Sequence, residues 1–113
     1  MNIAINRFIC NGFGFSTKFV LASDLGIHTS KERRVIDICK KLDAGVYLSG
    51  NGAKSYQRVI NFDKDDIILE YTKYQSFEYE QLWKGFSPNL SILDYIFNYG
   101  FDWSVIEDSI MVD

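Results

Sequence analysis

Two basic residues, Lys31 and Arg34, open what reads as an amphipathic helix, and a small-residue loop, Ser49-Gly50-Asn51-Gly52, ends the apolar segment that follows it. A cation at a helix N-terminus opposes the positive end of the macrodipole, at a cost of about 0.3–1 kcal/mol when exposed, and a bound anion would offset that cost. Counted at about 100° per residue, Lys31 shares a face with Val35, Ile38 and Leu42, so its ammonium leans over a sheet edge rather than outward. Lys31, Arg34 and the first backbone N–H groups of the helix are then a candidate cradle for a phosphate or a carboxylate. The alternative is that both cations are solvated, with Glu32 offsetting them.

The loop offers a second handle. Glycines allow close backbone approach, and Lys54 and Ser55 follow at what reads as a helix start, which is how phosphate-binding loops are arranged. The P-loop pattern itself is not met, because its two glycine positions before the lysine are here Leu48 and Ala53. What remains is a looser loop that recognises an anion or a hydroxyl, or a plain strand-to-helix turn.

Other reactive side chains are sparse. His28, the sole histidine, stands just before the helix start and is a candidate acid/base or ligand contact, or simply a surface residue. Cys39 falls on the apolar helix stripe, where a thiol stays protonated, and Cys10 has no base nearby in sequence. With one histidine and no paired cysteines, metal centres built mainly of His and Cys are not expected. Aromatic residues crowd the last third, from Tyr71 to Trp103, and suit either a core, a stacking surface for sugars or bases, or a dimer face.

The elements that must position these groups follow from spacing. Residues 2–9 alternate weakly and predict a short strand or an irregular lead-in, ending at Asn11-Gly12-Phe13-Gly14. Lys18-Phe19-Val20-Leu21-Ala22 predicts a buried parallel strand. Thr29 stands three residues before Glu32, a capping-box spacing, and Val35, Ile38, Cys39 and Leu42 recur at i, i+3, i+4 and i+7, so a helix runs to about Asp43-Ala44-Gly45. Val46-Tyr47-Leu48 predicts a buried strand, and residues 53–59 the beginning of a short helix. Asp66–Thr72 predicts a further strand. Ser91 caps a helix that Gly100 closes, and a last helix spans about Asp102–Met111, packing Val105, Ile106 and Ile110. Strands separated by helical segments imply an α/β fold: a small three- to four-stranded, mainly parallel sheet with flanking helices and an aromatic, helical C-terminal third.

At 113 residues one domain, spanning 1–113, is expected. The net charge of −3 provides no general attraction to nucleic acid or anionic lipid, so any anion site must be local. No apolar run approaches the ~18 residues of a membrane span, and the cysteine usage fits a reducing compartment, so a cytoplasmic protein without membrane insertion is expected. No cofactor can be named.

Longer strings carry a resemblance. Ser30-Lys31-x-x-Arg34-Val35-Ile36-Asp37-Ile38-Cys39-Lys40-Lys41-Leu42, then Val46-Tyr47-Leu48-Ser49-Gly50 and Gly52-Ala53-Lys54-x-Tyr56, resemble the C-terminal half of the WbqC-like proteins of bacteria. So does Tyr79-x-Gln81-Leu82-Trp83-x-Gly85-Phe86-x-Pro88-Asn89-Leu90-Ser91-Ile92-Leu93-Asp94, and the similarity runs from about Phe19 to Gly100. The resemblance implies a place in O-antigen or other surface-polysaccharide biosynthesis and a transferase acting on a sugar-nucleotide or other anionic donor. Carried over, the recurring polar positions are Ser30, Lys31, Arg34, Ser49, Gly50, Lys54, Tyr56, Asn89, Ser91, Asp94 and Asn98, with Asp94 the candidate base. Gly52 joins the ligand-binding set from the loop argument. Typical members are about twice as long and begin with a Gln-Pro-containing half that has no counterpart here. That implies as alternatives a non-catalytic binding or assembly module, a homodimer, or one subunit of a split enzyme with a longer partner chain.

Overall fold

Residues 1–107 and the backbone of Ile110–Val112 are described in a computed structural model of the chain. The chain divides into two compact units, one built mainly from Val20–Lys73, the other from Met1–Phe19 and Tyr74–Ile110.

In the first unit, helix α2 (Lys31–Lys41) leads into strand β1 (Val46–Ser49), and helix α3 (Val59–Asp63) into strand β2 (Ile68–Tyr74). Here α1 denotes the N-terminal helix of the second unit (Asn2–Gly12). β1 and β2 pair in parallel, Val46 opposite Ile68 and Ser49 opposite Tyr71. A short strand, β3 (Ile110–Val112), lies next to β2 on its other edge. The helix–strand alternation produces the α/β class for the reason parallel neighbours always need it: the chain must cross over before it can run the same way again.

The core of this unit lies on one face of the pair. Ile36 and Cys39 of α2, Phe62 of α3 and Ile67 are buried together, with Val35, Ala44, Tyr47 and Leu69 packed against them. Tyr47 and Phe62 stack nearly parallel, centroids 5.7 Å apart. The buried stripe of α2 is therefore rotated from the expected one: Ile36 replaces Ile38 at its centre, and Leu42 is exposed. β1 is also less buried than expected, because Val46 and Leu48 alternate away from the helices and stand about half exposed. The α2 surface is tied to the α3–β2 turn by ion pairs. Arg33 meets Asp37 at 2.7 Å and Asp65 at 3.1 Å, and Lys40 meets Asp65 at 2.8 Å.

Two expected strands do not form. Lys18–Leu21 joins no strand and is exposed, and Ala22 already opens a 3-10 segment, Ala22–Leu25, that Gly26 closes at φ 65°. An apolar run becomes a strand only when it pairs with a neighbouring edge, which periodicity cannot show. Residues 53–59 do not open a helix either; a 3-10 turn, Asn51–Ala53, precedes α3, which starts at Val59.

In the second unit, residues 2–9 are helical. Ile5, Phe8, Ile9 and Gly12 recur at helical spacing, and the helix is held by aromatic packing: Phe8 meets the Phe101 ring edge-on at 5.9 Å, and the same ring closes over Gly12, leaving no room for a Cβ. Helix α4 (Ile92–Tyr99) starts as expected, Ser91 Oγ accepting the Leu93 N–H, and ends as expected at Gly100, whose φ 70°, ψ −155° is a conformation essentially closed to other residues. Helix α5 is only Ser104–Glu107. The expected continuation to Met111 is not observed where it is described, since Ile110–Val112 is strand; residues 108 and 109 lie outside the described residues. Among the described residues no helix is long and apolar enough to cross a membrane.

Candidate functional site

The entry into α2 is locally unusual. Ser30 precedes the helix in extended conformation, but its side chain caps nothing. Thr29 and Glu32 do not form the expected capping box. The Thr29 hydroxyl donates to Asp37 Oδ2 at 2.7 Å. Glu32 is drawn instead to α3, where its two oxygens accept from the Arg58 N–H at 2.7 Å and from Asn61 Nδ2 at 2.6 Å. The Arg58 N–H lies at the otherwise uncapped start of α3, where backbone N–H groups lack intrahelical partners, and the Asn61 side chain adds a second donor.

Between Ser30 and Glu32, Lys31 stands at φ 52°, in the left-handed region. Asp43, Asp66 and Asn89 share that region, but short polar side chains tolerate it and a lysine does not, at a cost of roughly 1–2 kcal/mol. Among the described residues Lys31 forms no ion pair. A strained, unpaired cation is thus held at the mouth of the helix.

Lys31 lines a cavity of about 880 Å³, within the usual range for small-molecule pockets. α2 contributes Lys31, Glu32 and Val35; β1 contributes Tyr47 and Ser49; the segment after it contributes Gly50, Gly52, Ala53, Tyr56 and Gln57. Ser49 is 5% exposed, and its hydroxyl has only a long contact, 3.4 Å, to the Gly50 carbonyl. Tyr56 is 70% exposed, a ring available at the rim. Gly50 and Gly52 have no left-handed φ, and a Cβ on either would meet nothing. The fold does not require glycine at these two positions; their bare backbone keeps the cavity open. One further atom stands out: Gln57 Oε1 is buried and has no hydrogen-bond partner among the described residues.

Several expected ligand-binding residues thus converge: Lys31, Ser49, Gly50, Gly52 and Tyr56 share one cavity. Others are not among its lining residues. Arg34 is exposed on α2, Ser30 and His28 are exposed in the preceding loop, and Lys54 places its ammonium 4.8 Å above the Tyr71 ring. Asn89 and Asp94 belong to the other unit. There Asp94 accepts from the Tyr79 hydroxyl at 2.6 Å and from Gln81 Nε2 at 3.2 Å, and burial, together with this bond to Asp94, pushes the Tyr79 phenol up. Cys39 is buried in the α2 stripe, and burial pushes its thiol up, which keeps it unreactive.

Val35, Tyr47, Glu32 and Gln57 were not singled out from sequence as site residues. Val35 and Tyr47 carried only the signal of a core. Glu32 was assigned to a cap. Nothing local marks Gln57, because its role depends on what fails to reach it.

Residues 1–105 match the WbqC-like protein family, a span that takes in α1 as well as the motifs from Phe19 onward. The chain is also 35% identical over 101 residues to an uncharacterized protein of Mycobacterium tuberculosis, Rv1507c, covering 88% of this chain and 44% of that relative. It therefore spans less than half the length of the curated relative it matches. No solved structure shows a significant match.

Proposed function

The chain belongs to the WbqC-like protein family, and from that footing we propose that it binds the anionic donor of a bacterial surface-polysaccharide pathway, a phosphate-bearing sugar or sugar nucleotide, in the cavity between α2 and β1. The observation that carries this reading is Lys31: a cation held in a strained backbone conformation, with no ion pair among the described residues, at a cavity whose lining also includes apolar groups, bare glycine backbone, a buried serine, Gln57 and a Glu32 carboxylate engaged by α3. Strain of that kind persists only where the surroundings impose it, and it clusters at ligand clamps.

The role assigned to the cavity is recognition. Among the described residues lining it, Glu32 is the one carboxylate, and both its oxygens are engaged by α3. Lys31 would hold the phosphate, the Gly50–Gly52 backbone would lie close to it, and Tyr56 would cover a ring.

Calorimetric titration with a panel of nucleoside diphosphate sugars tests the reading. Lys31→Ala is expected to weaken the best binder by about tenfold, the equivalent of about 1.4 kcal/mol, whereas Arg34→Ala, outside the cavity, leaves it within about twofold. No heat with any member of the panel, or equal affinity of wild type and Lys31→Ala, would refute it.

A further inference from the structure

We infer that the cavity selects a polyhydroxylated phosphate ester, a sugar phosphate, through donation of a sugar hydroxyl to Gln57 Oε1; the inference rests on the anion reading above and adds the group that discriminates. Gln57 is among the residues that line the cavity, and its Oε1 is buried and lacks a hydrogen-bond partner among the described residues. A carbonyl oxygen only accepts, so what satisfies it must be an O–H or N–H. No described protein group supplies one, while both oxygens of Glu32 are already engaged from α3. A bound hydroxyl would therefore answer an existing vacancy in the hydrogen bonding rather than compete with an internal bond.

The remaining lining agrees with the body of such a molecule. Val35, Tyr47 and Ala53 present apolar surface, and Tyr56 offers an exposed ring face suited to the C–H face of a pyranose. Lys31 accounts for the phosphate at one end, and Gln57 for a hydroxyl on the ring. A purely apolar anion would fill the same space and leave the Gln57 oxygen buried and unpaired, the situation in which a site rejects an analogue that lacks the hydroxyl.

The test compares glucose 1-phosphate with cyclohexyl phosphate, which has the same ring size and phosphate but no hydroxyl, by following backbone amide shifts of Lys31 and of residues 49–57 in NMR titrations. Wild type is expected to bind glucose 1-phosphate about tenfold more tightly. Gln57→Met should bring the two affinities within about threefold, by weakening glucose 1-phosphate and leaving cyclohexyl phosphate unchanged. Because the substitution removes an unsatisfied buried acceptor, Gln57→Met should also melt no lower than wild type; a variant that melts lower or fails to fold means that the oxygen is satisfied internally and overturns the inference. Equal wild-type affinity for the two esters overturns it while sparing the anion site. Binding of neither ester overturns both.

Discussion

The Val20–Lys73 unit and the aromatic unit built around α4 treat their polar side chains differently. In the aromatic unit each conspicuous polar group is answered from within. Asp94 takes the Tyr79 hydroxyl and the Gln81 amide, Gln81 also exchanges bonds with the Ser87 backbone, the Tyr95 hydroxyl donates to the Asp102 carbonyl at 2.6 Å, and the Tyr99 hydroxyl accepts from the Glu80 N–H at 3.0 Å. Edge-to-face ring pairs fill the space between them, as between Tyr79 and both Phe86 and Tyr95. In the Val20–Lys73 unit the core is mainly aliphatic, but beside it, among the described residues, stand a Lys31 without an ion pair, a Ser49 hydroxyl with only a long contact and a Gln57 whose buried oxygen has no partner, three residues that line one cavity. The difference separates two meanings of a polar residue in a family motif. Asp94 is conspicuous because its own fold uses it; Lys31 is conspicuous because no described residue pairs with it.

The largest effect that bears on this contrast is Phe62→Ala. Phe62 is fully buried and stacks on Tyr47, so its removal is expected to cost about 3–5 kcal/mol in urea denaturation. A small loss would mean that the aliphatic core is not what holds the cavity walls. Asp94→Ala comes next. It leaves the Tyr79 hydroxyl and the Gln81 amide without their acceptor, at about 1–3 kcal/mol by thermal denaturation, with sugar-nucleotide affinity unchanged. Loss of binding at full stability would instead return Asp94 to the site and break the comparison.

The smallest effect is electrostatic. The Thr29 hydroxyl, with Arg33, holds the Asp37 carboxyl below the usual aspartate range, and Lys40, with Arg33, does the same for Asp65. A depressed folded value means that these carboxylates favour the native state above the unfolded aspartate value of about 3.9, and that the contribution disappears as pH falls through the lower folded value. Melting temperature should therefore decline as pH drops below about 5, and an Asp37→Asn, Asp65→Asn double variant should show a shallower decline. An identical acid profile for the two proteins would show that the α2 ion pairs do not contribute.

Much of this was legible in the residues, and the failures share a cause. The Ser91 cap and the Gly100 stop, the helical period of α2, and the apolar runs of β1 and β2 all depend on groups within about four residues of one another, so local chemistry settles them. The convergence of Lys31 with Ser49–Gly52 also followed, because one helix-to-strand connection brings them together. α1 was misread because its stabilisation comes from Phe101, far along the chain, and Lys18–Ala22 was misread because an apolar run does not record whether it pairs with another strand. Glu32 left its cap for donors 26 and 29 residues away.

What the sequence by itself determined was therefore the family, the α/β alternation and the small-residue loop beside a basic helix start. Tertiary structure alone decided which face of α2 is buried, which cation lines the cavity and that Gln57 keeps an unanswered acceptor. A hydrogen bond that is missing is a property of every group that did not arrive, and no local pattern of residues records that.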